Sequence, residues 1–221
     1  MLRYLSNSLF PSILGVSLIT LLLFTVCTSD QIQTITLENT DEIISYSIDK
    51  DSLIQGLYVQ LNREGDTISV AHYKDNQLEG KRNIYAAHGY VEIEQNYKGG
   101  VFHGPIVHFY PDGTPETSGN FTNGQLDSLF YAYYPSGKLK EKVSIKDNLE
   151  NGPFEEYYEN GNIHWKGQFI DGDNEIGLLE EFAEDGTLIK KMDCGKYKGD
   201  YICQTIWSLE KGDVVPKLKY D

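Results

Sequence analysis

The chain has little sulfur and few rigid positions: its 221 residues include three cysteines, two methionines, two tryptophans and seven prolines. So few cysteines exclude a disulfide miniprotein. Basic residues are also scarce, 19 Lys and Arg against 33 Asp and Glu, for a formal net charge of -14. Such a surface repels nucleic acid and anionic lipid, so no nucleic-acid partner is expected. At 40% apolar and 12% aromatic the chain is too hydrophobic to be disordered, and it can build one sizeable core or one extended repeat array. The abundant residues are glycine, 21 copies, and tyrosine, 16 copies. Tyrosine favours half-buried strands and glycine supplies the positive φ of tight turns. Many short strands follow.

Charge is absent from Tyr4 to Ser29, and Ile13 to Val26 is a compact apolar run after Arg3. This reads as a targeting segment. Three readings stand: a cleaved signal peptide, a signal ending in a lipid-modified Cys27, and an uncleaved anchor helix. The stretch from Leu9 to Val26 has 18 residues, the lower limit for crossing ~30 Å of hydrocarbon. The order Phe24-Thr25-Val26-Cys27 resembles the end of a bacterial lipoprotein signal, which implies lipidation at Cys27. All three readings put the rest of the chain outside the cytoplasm, in the cell envelope, with membrane contact through the anchor or lipid.

The remainder is periodic. Glycines at 56, 80, 104, 152 and 177, with Ser128 in the missing step, are spaced by 24 residues with one final 25. Gly65, Gly89, Gly113, Gly137, Gly161 and Gly186 repeat that metre, as do Tyr73, Tyr97, Phe121, Ile145, Phe169 and Cys194. Such spacing is the signature of a repeat architecture. One unit, GPIVHFYPDGTPETSGNFTNGQLD (Gly104–Asp127), holds an outgoing strand, a Pro111-Asp112-Gly113 turn and a return strand, with Asn123-Gly124 turning into the next unit. The expected fold is all-β: an antiparallel meander of β-hairpin repeats forming an elongated, twisted, partly curled sheet. Residues 1–26 are the signal or anchor, 27–52 a linker and N-terminal capping strand, 53–197 the array and 198–221 a degenerate C-terminal cap.

GPIVHFYPDG, GPFEEYYENG and the stretch Tyr97-Lys98-Gly99-Gly100-Val101-Phe102-His103-Gly104 resemble the variant form of the MORN repeat. The resemblance covers about Leu53 to Tyr197. It implies a bacterial protein of a kind frequently exported or lipid-anchored, and a role like that of the YwqK-type antitoxins. Ser128 and Asp127 replace the Gly and His of the pattern, so a local bend or loosening is expected there.

Alternation in the return strands places Val91, Ile93, Tyr97, Leu139, Val143, Ile145, Ile163, Trp165 and Phe169 on one face, and Glu92, Glu94, Lys138, Lys140, Lys142, His164 and Lys166 on the other. One face is apolar and one is wet. Gly119 and Gly167 are expected to ease the bend of the sheet. The column Tyr110, Tyr134 and Tyr158 is either packed across strands with its hydroxyls in water, or an aromatic platform for a protein or glycan.

The histidines His72, His88, His103, His108 and His164 occupy five repeat registers, so periodicity assembles no nucleophile and base. No phosphate loop and no metal-ligand spacing occur, and no cofactor or metal is expected. Acidic pairs remain: Glu156 and Glu181, with their neighbours Glu155 and Glu180, lie two strands apart, a separation near that of an inverting glycosidase's carboxylates. A solvated acidic edge is the ordinary explanation. If Lys198-Gly199 is a two-residue hairpin turn, counting outward pairs Cys194 with Cys203 at a separation that accepts a disulfide.

The leading expectation is a non-enzymatic envelope scaffold that binds a basic protein partner through Tyr110, Tyr134, Tyr158, Glu156 and Glu181. The alternative is a carbohydrate-binding or glycoside-processing protein using the same tyrosines and glutamates.

Overall fold

The computed structural model describes residues 24–25, 32–126 and 128–221. Every regular element among them is a strand. The order begins with β1 (Phe24–Thr25), β2 (Gln33–Glu38) and β3 (Glu42–Ile48) and enters the repeats with β4 (Ile54–Asn62), β5 (Thr67–Lys74), β6 (Gln77–Tyr85) and β7 (Val91–Lys98). It continues through β8 (Val101–Phe102), β9 (Gly104–Phe109), β10 (Pro115–Thr122), β11 (Gln125–Leu126), β12 (Ser128–Tyr133) and β13 (Leu139–Lys146). Then follow β14 (Leu149–Tyr157), β15 (Ile163–Ile170), β16 (Asn174–Glu175), β17 (Gly177–Phe182), β18 (Leu188–Tyr197), β19 (Asp200–Ser208) and β20 (Gly212–Asp213). Neighbours in sequence are neighbours in space and all pairs are antiparallel, giving one open meander.

Both ends of each hairpin are set by local chemistry. At the tight turn Pro111 fixes φ, the Asp112 carboxylate accepts the Thr114 amide at 2.8 Å, and Gly113 takes φ +85°. Tyr110 then donates its amide to Thr114 at 2.8 Å while Gly113 donates back to Tyr110 at 2.9 Å. The same bond pair closes the turns at Gly137, Gly161 and Gly186. At the opposite end the linking turns Asp75-Asn76, Gly99-Gly100, Asn123-Gly124 and Asp147-Asn148 have positive φ at both residues, the conformation that matches strand twist in a two-residue hairpin.

The first glycine column is a column of positive φ inside the outgoing strands, from +70° at Gly177 to +107° at Gly152. Ser128 adopts +79° in the same place. It lies opposite Ile145 as Gly104 lies opposite Phe121 and Gly152 opposite Phe169, so the replaced glycine leaves the register unchanged. Asp127 is outside the described residues.

The core lies on one face. Each outgoing strand sets a bulky side chain against a return-strand residue, as in the pairs Ile106 with Gly119, Phe130 with Val143, Phe154 with Gly167 and Leu179 with Met192. Val143 and Phe154 are 2% and 4% exposed, and they cluster with Ile145, Leu179 and Cys194. Phe154 stacks on Phe169 at 4.0 Å between centroids. A methyl at Gly167 would lie 2.9 Å from Leu179 Cδ1. Its observed contribution is therefore room for the next hairpin's side chain, and the same holds at Gly119, where Leu126 and Phe130 close in. Glu175 of β16 and Cys203 of β19 line one cleft, so the sheet curls toward its apolar face.

Past β19 the chain folds back. Val214 donates to Ile206 at 2.8 Å, Gln204 accepts the Lys217 and Leu218 amides, and the Tyr220 hydroxyl donates to the Asp193 carbonyl. The Tyr220 ring covers Gly195, where a Cβ would meet it at 2.7 Å.

Candidate functional site

On the wet face the charges alternate across the strands. Lys142 lies opposite Glu155, Glu155 opposite Lys166, Lys166 opposite Glu180 and Glu180 opposite Lys191. Ion-pair distances are 3.4 Å for Lys142–Glu155, 2.9 Å for Lys166–Glu180 and 3.5 Å for Lys191–Glu180. The Glu155 carboxylate also accepts the Tyr157 hydroxyl at 2.6 Å, and that bond, with Lys142, holds Glu155 below the usual carboxylate range. Burial, reinforced by Glu155, pushes Tyr157 up to about 12. Burial raises the Glu180 carboxyl, but its two lysines outweigh it and the net shift is downward. Glu155 and Glu180 therefore serve the sheet as opposite-charge cross-strand pairs.

The apolar face carries a different row. Glu141 lies opposite Glu156, Glu156 opposite Trp165, Trp165 opposite Glu181 and Glu181 opposite Lys190. Glu141, two residues before Val143 on the same strand, shares this face with the apolar residues. Burial raises the Glu141 carboxyl, and the neighbouring carboxylates of Glu156 and Glu150 raise it further. Glu150 is raised by its own burial and by Asp173. Glu181 is held by Lys190 at 3.2 Å, whose ammonium also lies 5.9 Å from the Trp165 ring centre. Among the described residues the ion-pair partner of Glu156 is His164, at 3.8 Å.

Two clefts meet at Glu156. One, of about 300 Å³, is lined by Phe154, Glu156, Trp165, Phe169, Glu175, Leu179, Met192 and Cys203. The other, of about 370 Å³, is lined by Tyr134, Lys140, Glu141, Glu156, Tyr157 and His164. Glu156 and Glu181 are thus two strands apart with an indole between them. The His164 ring lies tilted against that of Tyr158, 4.4 Å between centres, a contact that its separate repeat register does not suggest.

The tyrosine column is braced from within. Tyr110 donates its hydroxyl to the Tyr133 carbonyl at 2.9 Å, Tyr134 to the Tyr157 carbonyl at 2.7 Å and Tyr158 to the Phe182 carbonyl at 2.9 Å. The hydroxyls expected in water reach instead into the next hairpin. Burial raises the phenols of Tyr134 and Tyr158 above their usual value.

Cys194 and Cys203 are joined in a disulfide, with Cα atoms 4.0 Å apart. Their register is the one counted from Lys198-Gly199, with Tyr197 opposite Asp200 and Lys196 opposite Tyr201. Cys27, the expected lipidation position, lies outside the described residues. Among the described residues no three His, Cys, Asp or Glu side chains form a metal-binding group, and no helix is long and apolar enough to cross a membrane.

These observations define a class: an open β-hairpin repeat sheet with a charge-paired outer face and an acidic, aromatic inner one. Residues 126–147 and 150–171 each match the family model of the MORN repeat variant. Those two units are similar to that repeat, and the hairpins on either side keep the same turn and register. No curated protein matches the chain.

Proposed function

We propose that the protein is a non-enzymatic scaffold of the cell envelope that binds a basic protein partner on its acidic inner face. Export through the N-terminal segment and lipid attachment at Cys27 would present that face outside the cytoplasm. One observation carries the reading. On the outer face Glu155 and Glu180 pair with lysines, whereas Glu141, Glu150, Glu156 and Glu175 form no ion pair with lysine or arginine among the described residues. Glu141 and Glu150, raised by burial and by neighbouring carboxylates, suit a cationic surface that covers them. An antitoxin-like role, suggested by the family resemblance, is one form of this reading, with a basic toxin as partner.

Affinity capture from the native envelope tests it, with wild type and a Glu141→Gln/Glu150→Gln variant as baits. The expected result is a partner retained by wild type at low salt, released as salt rises, and lost in the variant. Capture equal for both baits refutes the acidic face. A carbohydrate ligand is the second reading, favoured by the placement of Trp165 between Glu156 and Glu181. Retention of envelope polysaccharide in place of protein would support it.

A further inference from the structure

The column that fills the core changes character in one repeat. Ile106, Phe130 and Phe154 stand 24 residues apart and lie opposite Gly119, Val143 and Gly167. One repeat earlier the same place holds Arg82, opposite Gln95. On its other side Arg82 faces Ala71, which in turn faces Tyr58. The row on the apolar face therefore reads Tyr58, Ala71, Arg82 and Gln95.

A cation set in a core column is costly unless it is paired. Arg82 is half-buried, and among the described residues it forms no hydrogen bond or ion pair. Arg63, in contrast, is held by Glu38 at 3.4 Å. The carboxylates of the neighbouring strands are engaged elsewhere: Glu94 by Lys81 at 2.7 Å, Glu79 by the Gly99 amide at 2.8 Å, and Glu42 by the side-chain amides of Gln60 and Asn39. Beside Arg82 stands a donor instead. The Gln95 oxygen accepts the Tyr97 hydroxyl at 2.9 Å, which leaves the Gln95 N–H groups to donate.

We propose that Arg82 receives a carboxylate of the protein partner, with the Gln95 amide as a second donor directly across the strand pair. A guanidinium holds a carboxylate through two parallel N–H bonds, and the amide adds a bond without adding charge. The site rests on the scaffold reading and gives it a direction. Glu141 lies on β13, the fifth strand from β6, which is ~24 Å along the sheet at ~4.8 Å per strand. A cationic point at one place and an acidic one at the other fix which way round the partner lies.

The test uses the full chain with its arginines labelled with nitrogen-15, and follows the side-chain Nε–H signals by NMR. Arg82→Lys assigns the Arg82 signal, and Arg63 is the internal reference. Acetyl-Gly-Glu-Gly-amide is titrated, with acetyl-Gly-Gln-Gly-amide as the neutral control. Saturable movement of the Arg82 signal is expected, about tenfold weaker with the glutamine peptide and about threefold weaker in Gln95→Leu, while Arg63 stays in place. Equal binding of the two peptides, unchanged binding in Gln95→Leu, equal movement of Arg63 or no saturation overturns the proposal. Movement of the Arg82 signal with protein concentration alone also overturns it, by assigning the carboxylate to a second copy, and so does tighter binding of glucuronate, by assigning it to a sugar. Circular dichroism melts confirm that each variant is folded. Failure here is distinguishable from failure of the scaffold reading, because envelope capture is tested through Glu141 and Glu150.

Discussion

The hydroxyl of Tyr134 donates to the backbone carbonyl of Tyr157, one hairpin further along the sheet, at 2.7 Å. With the equivalent bonds of Tyr110 and Tyr158, it ties each tight turn to the next. Replacing any one of the three by phenylalanine should cost about 0.5–1.5 kcal/mol, the net worth of a hydrogen bond. Successive sites are two strand spacings apart, so the triple variant should lose close to the sum. Urea denaturation measures this, and three variants as stable as wild type would remove the bonds from the account.

The two faces should titrate in opposite senses. Glu155 is held below its ordinary range, so its stabilising contribution is present above the unfolded value and is lost as pH falls through the folded one. Glu141 is held above its range, so its contribution is present in acid and is lost as pH rises through the raised folded value. At neutral pH Glu141→Gln should therefore raise the Tm and Glu155→Gln should lower it. Both differences should vanish in acid, below both titrations. Melting curves across pH check the sign at each end.

Gly195 lies under the ring of Tyr220, and a methyl there would sit 2.7 Å from the ring. Gly195→Ala should push the C-terminal tail off the sheet at a cost of roughly 1–3 kcal/mol. Hydrogen exchange is the direct readout. The amides of Leu218, bonded to Gln204, and Asp221, bonded to Lys196, should exchange faster. Unchanged protection at both would show that the tail does not depend on this contact.

Reduction of Cys194–Cys203 should weaken the C-terminal end alone. The bridge closes a separation of 9 residues, and a loop that short contributes at most about 2–3 kcal/mol. After reduction the amides of β18 and β19 should exchange faster while those near Val143 and Phe154 keep their protection. Loss of protection throughout would make the disulfide a support of the whole sheet.

The hairpins were legible because their turns are chemical. Gly113 and Asn123-Gly124 each require a positive φ that few residues adopt, and with both ends fixed the register follows, down to Cys194 opposite Cys203. What escaped the sequence joins residues of different hairpins. Glu141 stands by alternation between Leu139 and Val143, but nothing local says that Glu156 of the next strand lies opposite it. The tyrosine hydroxyls find carbonyls about one period away, which only the stacking of finished hairpins reveals. Tyr220 lies in a tail without strand pattern, and its seat depends on the missing side chain at Gly195.

The linking turns follow a rule of their own. The amides of Asn76, Gly100, Gly124 and Gly172 donate to the carbonyls of Ile54, Leu78, Phe102 and Glu150, each 22 residues earlier. Each of these four turns is thus hooked to the hairpin before it and to no fixed place in the chain. The array behaves as a ruler graduated in units of 24 residues, each advancing the sheet by ~9.6 Å, two strand spacings. Duplicating or excising one whole graduation would move the acidic face along the sheet relative to the N-terminal strands while keeping the remaining hairpins in register, so the reach of the protein can be altered by recombination at glycine codons alone.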